Sequence, residues 1–479
     1  MKDLRRLILS CLVLIVSIGG YSQDYKNEKQ LIKGADDAFN KGDYKTAIPL
    51  LSTLISNYPK DPGYNFKYGA SLLIGEGDNE KPVKYLQFAV SKPDVDPLAY
   101  YYYGYALHLN YEFQKAIKYY KKFQNLGKPA DVKKFRVDDH IAQCENGKTL
   151  LKTITDLIVL DKKELRDEDF YKVYDLTSFG GQILVKPDDF QTDYEKKNSV
   201  KGIFYFPKDA DKIFFSRQSS AEGDKDIFYK VRNPDGTWSR GINMGKPINS
   251  KSDEDYPFLH PDGTTLYFAS KGHNSLGGYD IFVSRIDDQG NWSPPQNLDF
   301  AINTPADDYL FITDLTGETA YFSSNRESPQ GEVNVYKINM DRMPLDFAFV
   351  YGTFVSQSTK QAKIKVVNAE TDEVIGEYET DEDGKYKIKV PNEGKFNFIV
   401  DYEGSQVAHS GQVEVQGRNT FKPLKQTMEV IDQGAESEKL VIKNLVDEDV
   451  DEEVALSADF FKNKAKLTIN KDKFKDRKA

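Results

Sequence analysis

Apolar residues fall into three rhythms along the chain. From Glu28 to about Leu151 they recur every three or four positions, as in Tyr44, Ala47, Leu51 and Leu54 before Pro59. That spacing predicts amphipathic helices that each bury one stripe. From residue 153 to 344 the pattern changes to short aromatic runs such as "KIFFS", "TLYFAS" and "TAYFSS", bounded by turn signals at Pro234-Asp235-Gly236, Pro261-Asp262-Gly263 and Asp288-Gln289-Gly290. Short strands joined by tight turns are predicted there. From 345 to 423 apolar and polar residues alternate between turns at Asp372-Glu373, Asp383-Gly384 and Glu393-Gly394, the pattern of a small antiparallel sandwich of about six strands. Beyond Pro423 the pattern weakens. An acidic run at 446–454 and a basic end predict a polar tail, 424–479, open to disorder.

The first residues read as a targeting segment. Lys2, Arg5 and Arg6 precede the apolar run Leu7 to Ile18, and Gly20-Tyr21-Ser22 offers small residues before Gln23. This is the order of a cleaved secretory signal, 1–22, with an apolar run too short to span a bilayer. Cys11 lies inside that run rather than just after it, so lipidation is not expected. Once the signal is removed only Cys144 remains, so no intramolecular disulfide can form and the domains depend on ordinary cores.

Two internal repeats organise the rest. Helical units open at 28, 62 and 97, which are 34 and 35 residues apart, with small residues at Ala47, Gly69, Gly104 and Ala116. The period matches tetratricopeptide repeats, and a further helix at 131–151 would cap a right-handed solenoid spanning 23–152. In the next region "KIFFSRQSSAEGDKDIFYKV", "TLYFASKGHNSLGGYDIFVSR" and "TAYFSSNRESPQGEVNVYKI" share one plan. Phe214, Tyr267 and Tyr321 are 53 and 54 residues apart, and Ile227, Ile281 and Val335 are 54 and 54 apart. Counting back one period reaches 157–176 as a degenerate fourth copy. Four short strands per repeat predict an all-β propeller of four to five blades over 153–344.

The stretches "YPFLHPDGTTLYFAS" and "GGYDIF" resemble the PD40 (WD40-like, TolB-type) propeller repeat. That resemblance implies a periplasmic or extracellular platform for binding proteins. "VYGTFV" followed by "AKIKVVNAETDEVIGEYETDEDGKYKIKV" resembles the carboxypeptidase-regulatory-like, or transthyretin-like, β-sandwich, which implies no catalytic centre in that module. Helical repeats, PD40 repeats and this sandwich, in that order, are similar to a family of Bacteroidota cell-envelope proteins. A type IX secretion member of that family adds a C-terminal OmpA-like peptidoglycan-binding domain. No such pattern follows Lys425, so direct peptidoglycan binding is not expected.

Charge and side-chain chemistry narrow the function. The formal charge of −10 argues against nucleic acid, which needs a concentrated basic face. The five histidines, His108, His140, His260, His273 and His409, show no metal-ligand spacing, and no nucleophile elbow or phosphate loop is present. "DEDGKYK" at 381 starts like a calcium loop but has Asn392 where the twelfth-position Glu belongs, so it reads as a hairpin turn. "NPDGTWS" and "DDQGNWS" are similar to the Asp-box turns of sialidases. Arg217, Arg232, Arg240, Arg285 and Arg326, however, recur near strand ends, as a structural role predicts.

No catalytic residue, cofactor or metal is therefore expected. Two partner-binding surfaces are: a concave helical groove of Ile32, Phe39, Phe66, Leu73, Tyr101, Tyr105 and His108, and propeller loops carrying Ser219, His273, Asn274, Arg326 and Glu327. The expected protein is an exported, periplasmic, non-catalytic scaffold, free or peripheral to the outer membrane, whose partners are envelope or outer-membrane proteins. The alternative is a glycan-binding or glycan-processing propeller protein.

Overall fold

The computed structural model describes residues 28–151, 156–177, 179–200, 202–208, 211–221, 223–343, 347–391, 393–405, 407–415, 424–432, 438–445 and 458–470. The expected signal, 1–22, lies outside them.

Eight helices come first: α1 Glu28–Asn40, α2 Tyr44–Asn57, α3 Pro62–Gly75, α4 Lys81–Val90, α5 Leu98–Leu109, α6 Phe113–Leu126, α7 Pro129–Lys134 and α8 Val137–Leu150. Local chemistry sets their starts. Asp43 accepts from the Thr46 amide at 3.1 Å and Asp61 from the Tyr64 amide at 2.8 Å, occupying amide donors that a helix leaves free in its first turn. Through α6 each helix packs on its neighbour in the chain, and α8 packs on α6. Two glycines allow the close approach. A Cβ on Gly69 would stand 2.8 Å from Leu86 Cγ, and one on Gly104 would stand 3.0 Å from the Tyr120 ring.

The next region holds β1 Asp156–Arg166, β2 Gly181–Val185, α9 Asp193–Lys197, β3 Ile203–Pro207, β4 Lys212–Gln218, β5 Lys225–Val231, β6 Ile242–Asn243, β7 Glu254–Leu259, β8 Thr265–Ser270, β9 Asp280–Arg285, β10 Gln296–Asn297, β11 Asp308–Thr313, β12 Thr319–Ser324 and β13 Glu332–Met343. The three repeat copies fall on the hairpins β4–β5, β8–β9 and β12–β13. The propeller expected from them is not formed. The described strands make separate antiparallel sheets of two (β2-β3), three (β4-β5-β6), four (β10-β9-β8-β7) and four strands (β1-β13-β12-β11), and these do not close into a ring or barrel. The number of repeat units is corrected at β1. Its sequence is strand-like, but it pairs with β13, from Ile158↔Asn339 to Arg166↔Glu332. It is thus the outer strand of the last sheet, and the supposed fourth copy contributes no sheet of its own.

A repeated asparagine clasp ties each sheet to the next turn. Asn249 accepts from the Ile227 amide at 2.9 Å and donates to the Ile227 carbonyl at 3.0 Å. Asn303 does the same for Ile281 at 2.7 and 2.8 Å. Each clasp donates as well to an asparagine six residues earlier, Asn243 or Asn297.

The last β region comprises β14 Phe347–Val355, β15 Lys363–Asn368, β16 Val374–Glu379, β17 Lys385–Pro391, β18 Gly394–Asp401, β19 His409–Val415, β20 Leu424–Asp432 and β21 Glu438–Leu445. Two four-stranded sheets, β17-β14-β20-β21 and β16-β15-β18-β19, enclose a core of Val350, Phe354, Ile364, Ile388, Phe398, Val400 and Met428. Strand β17 shows why: Tyr386, Ile388 and Val390 point in and Lys385, Lys387 and Lys389 point out, as a half-buried strand requires. The expectation of a polar tail from 424 is corrected here. Strands β20 and β21 belong to the sandwich, and α10 Ala458–Ala465 returns to the helices and repeat sheets.

One apolar cluster runs through the helices and into the repeat sheets, from Leu51, Leu72 and Tyr103 to Leu276, Phe300, Phe322 and Ile338, and includes Phe461 and Leu467. The sandwich keeps its own cluster.

Candidate interaction surfaces

The helical groove is filled from within. Phe39, Phe66, Leu73, Tyr101 and His108 are buried, whereas Ile32 and Tyr105 are half-buried against the same cluster. The ring centroid of Tyr101 lies 4.5 Å from Phe135 and 6.2 Å from Tyr105, and its hydroxyl donates to His140 Nε2 at 3.2 Å. His108 Nε2 donates to the Leu276 carbonyl at 2.8 Å, far along the chain. Burial holds the imidazole of His108 down at about 3 and that of His140 at about 4, so both are neutral at ordinary pH. The tetratricopeptide-like frame places these side chains inward, but α7, α8 and the loop 271–279 occupy the space a partner would need. The groove is a packed interface.

Each of the three repeat loops touches the chain's own helical region. In the first loop Asp224 stands 4.0 Å from Arg136. In the second, the Ser275 carbonyl accepts from Asn146 at 3.0 Å beside the His108–Leu276 bond. In the third, the Gln330 amide donates to the Gly75 carbonyl at 3.3 Å. Among the residues expected to meet partners, Ser219 and Asn274 are exposed, and His273 Nε2 is committed to the Ile248 carbonyl at 3.0 Å.

Arg326 is corrected outright: it is 4% exposed. Its guanidinium donates to Ser324 Oγ (2.8 Å), the Ala301 carbonyl (2.9 Å), the Ile302 carbonyl (2.5 Å) and Asp308 Oδ1 (2.5 Å). A loop arginine read as a contact residue is thus the counter-ion of a buried carboxylate. One period earlier Glu254 occupies the place of Asp308, with hydroxyl donors from Ser250 and Ser270, each at 2.6 Å. Its nearest ion-pair partner is His273, at 3.9 Å. Burial pushes the Glu254 carboxyl up to about 7.

Glu327 is exposed and lies 3.7 Å from Lys466, at the mouth of a cleft of about 430 Å³ between the helices, the repeat sheets and α10. Phe461 anchors α10 there, its ring 5.7 Å from both Tyr111 and Phe300. Lys462 reaches Glu80 at 3.7 Å. Further on, Asn470 brackets β1: its Oδ1 accepts from the Val159 amide (2.6 Å), its amide donates to the Val159 carbonyl (3.0 Å), and its Nδ2 donates to Leu157 (2.9 Å). The sequence predicts a polar tail over this segment. The signal available was the aromatic pair Phe460-Phe461 within a basic run.

A second hollow, of about 770 Å³, is open to solvent. It lies between residues 171–177 and β2, with Tyr171, Leu176, Ile183 and Phe206 among its walls and Lys172 and Lys208 at its margin.

No family model matches the chain, and no curated protein matches it either. Among solved structures, a candidate cell adhesion protein of Bacteroides fragilis aligns at 8% identity and a TM-score of 0.17, over 52% of this chain and 89% of that one. The TIE protein of Bacillus anthracis aligns at 10% identity and a TM-score of 0.16, over 66% of each chain. No described helix is long and apolar enough to cross a membrane.

Proposed function

We propose that the chain is an exported, non-catalytic interaction scaffold of the bacterial cell envelope whose partners are envelope or outer-membrane proteins, with type IX secretion or gliding machinery as the specific setting. The export segment and the resemblance to envelope proteins of this modular order support the setting. The observation that carries the scaffold reading is the apolar cluster that the helices share with the last two repeat sheets and with Phe461 of α10. Surfaces on two kinds of element are thereby held at fixed separation. A fixed separation lets a second partner bind at high effective concentration once the first is in place.

The test is affinity purification of the mature protein from crosslinked envelopes, wild type beside Phe461→Ala. The reading expects a defined set of envelope proteins with wild type and a smaller set with the variant. If nothing specific co-purifies at any crosslinker strength, the scaffold reading fails and binding to a glycan array becomes the next measurement.

A further inference from the structure

Among the described residues the sheet edges carry charge or are very short, except in the two-stranded sheet, where both β2 and the more buried β3 are uncharged. Natural proteins blunt exposed edges with charge or extreme shortness, because an unpaired edge templates the addition of another strand. Edge strand β1 carries Lys162, Lys163, Glu164 and Arg166; β16 carries Glu377 and Glu379; β17 has three lysines; β19 has Glu414; and β21 has Glu438, Lys439 and Lys443. The edges β6 and β10 are two residues long. Strand β2, Gly181-Gln182-Ile183-Leu184-Val185, has no charged residue.

Register shows what β2 offers. The ladder continues past its ends with Lys186 donating to Gly202 and Lys208 donating to Gly180, around the pairs Gly181↔Pro207 to Val185↔Ile203. Antiparallel pairing alternates, so the even-numbered residues face β3. The amides and carbonyls of Gly181, Ile183 and Val185 point the other way, and no strand lies beside them among the described residues. The hollow of about 770 Å³ borders the first three residues of this strand, Gly181 to Ile183. Val185 is 50% exposed, and Lys208 is exposed with no ion pair among the described residues.

We propose that β2 is a strand-addition site for an extended segment of a partner protein. The segment is about five residues long, apolar at alternate positions to meet Tyr171, Leu176 and Ile183, and acidic near Lys208. Main-chain bonds to Gly181, Ile183 and Val185 supply the affinity, and the hollow selects side chains. This rests on the scaffold reading and names the kind of partner it would hold.

The experiment selects heptapeptides from a phage-displayed library against the mature protein and measures a fluorescein-labelled selected peptide with wild type, Val185→Lys, Ile183→Pro and Lys208→Glu. Proline at 183 deletes an outward amide and leaves the β3 ladder intact. Val185→Lys lies on an exposed position and serves as the folding-neutral variant, checked by circular dichroism. Binding is expected to weaken at least tenfold in all three. It should also weaken at least tenfold when alternate residues of the peptide are N-methylated, which removes main-chain donors and spares side chains. If N-methylation has no effect, or no peptide is selected, the proposal is overturned. It is equally overturned if wild type sediments as a dimer that Val185→Lys dissociates, since a second copy then owns the edge. Envelope partners captured equally by wild type and Val185→Lys would remove the β2 site and leave the scaffold reading standing. Peptides that bind β2 with no envelope partner captured would do the reverse.

Discussion

Single side chains in this protein are spent on internal electrostatics. Removing Arg326 leaves Asp308 charged and buried, so Arg326→Ala is expected to cost about 3–5 kcal/mol in urea unfolding. Replacing an arginine that merely touched a partner would cost almost nothing. The pH profile carries two opposed signatures. His108 and His140 are held below the ordinary imidazole value by burial. As pH falls through 6.5 the unfolded chain takes up protons that the folded chain refuses, and stability declines until about pH 3–4. Glu254, raised to about 7, works the other way: the folded carboxyl keeps its proton where the unfolded one has lost it. Its share of stability is complete below about pH 4.5 and lost as pH rises to 7, on the order of 3 kcal/mol. Glu254→Gln should therefore raise the melting temperature at pH 8 relative to wild type far more than at pH 4.5. Equal shifts at both pH values would refute the assignment.

At the scale of elements, much of the local structure was legible and its pairing was not. The spacing of Tyr44, Ala47, Leu51 and Leu54 marked a helix, and the recurrence of Phe214, Tyr267 and Tyr321 marked three equivalent strands. What misled was the stretch from 157. Alternation identifies a strand, but β1 is placed by a ladder to β13 that only tertiary packing decides. Strand β20 was overlooked because Met428 and Val430 alternate inside a run of charge and amide. The clasp residues Asn249 and Asn303 sat in plain view at the repeat spacing, within "PINS" and "AINT". The groove residues were placed on the inward face of their helices, but sequence gave no means of seeing that α8 and a distant loop would fill it. Helix α10 offers the direct check at this scale. Phe461→Ala should cost about 3–5 kcal/mol and speed hydrogen exchange at residues 76–80, 109–111 and 304–306. Unchanged exchange there would mean that α10 is not anchored by Phe461.

For the whole molecule the distribution of apolar clusters predicts cooperativity. The helices share one cluster with the last two repeat sheets, three smaller clusters lie within the repeat region, and the sandwich has its own, so calorimetry should show the helices melting together with those sheets and the sandwich melting apart. Independent melting of the helices would contradict the shared core.

The pairing of β1 with β13 also bears on the order in which the protein can be made. A chain made on a ribosome emerges from its N-terminus, so β1 arrives long before Glu332–Met343 and longer still before Asn470. Until then its apolar face and ladder groups have no native partner, and loop closure over so great a separation is slow. A chain arrested after residue 331 would present β1 as an unmatched strand. Holding that segment soluble during synthesis is a task that falls to something outside the native fold.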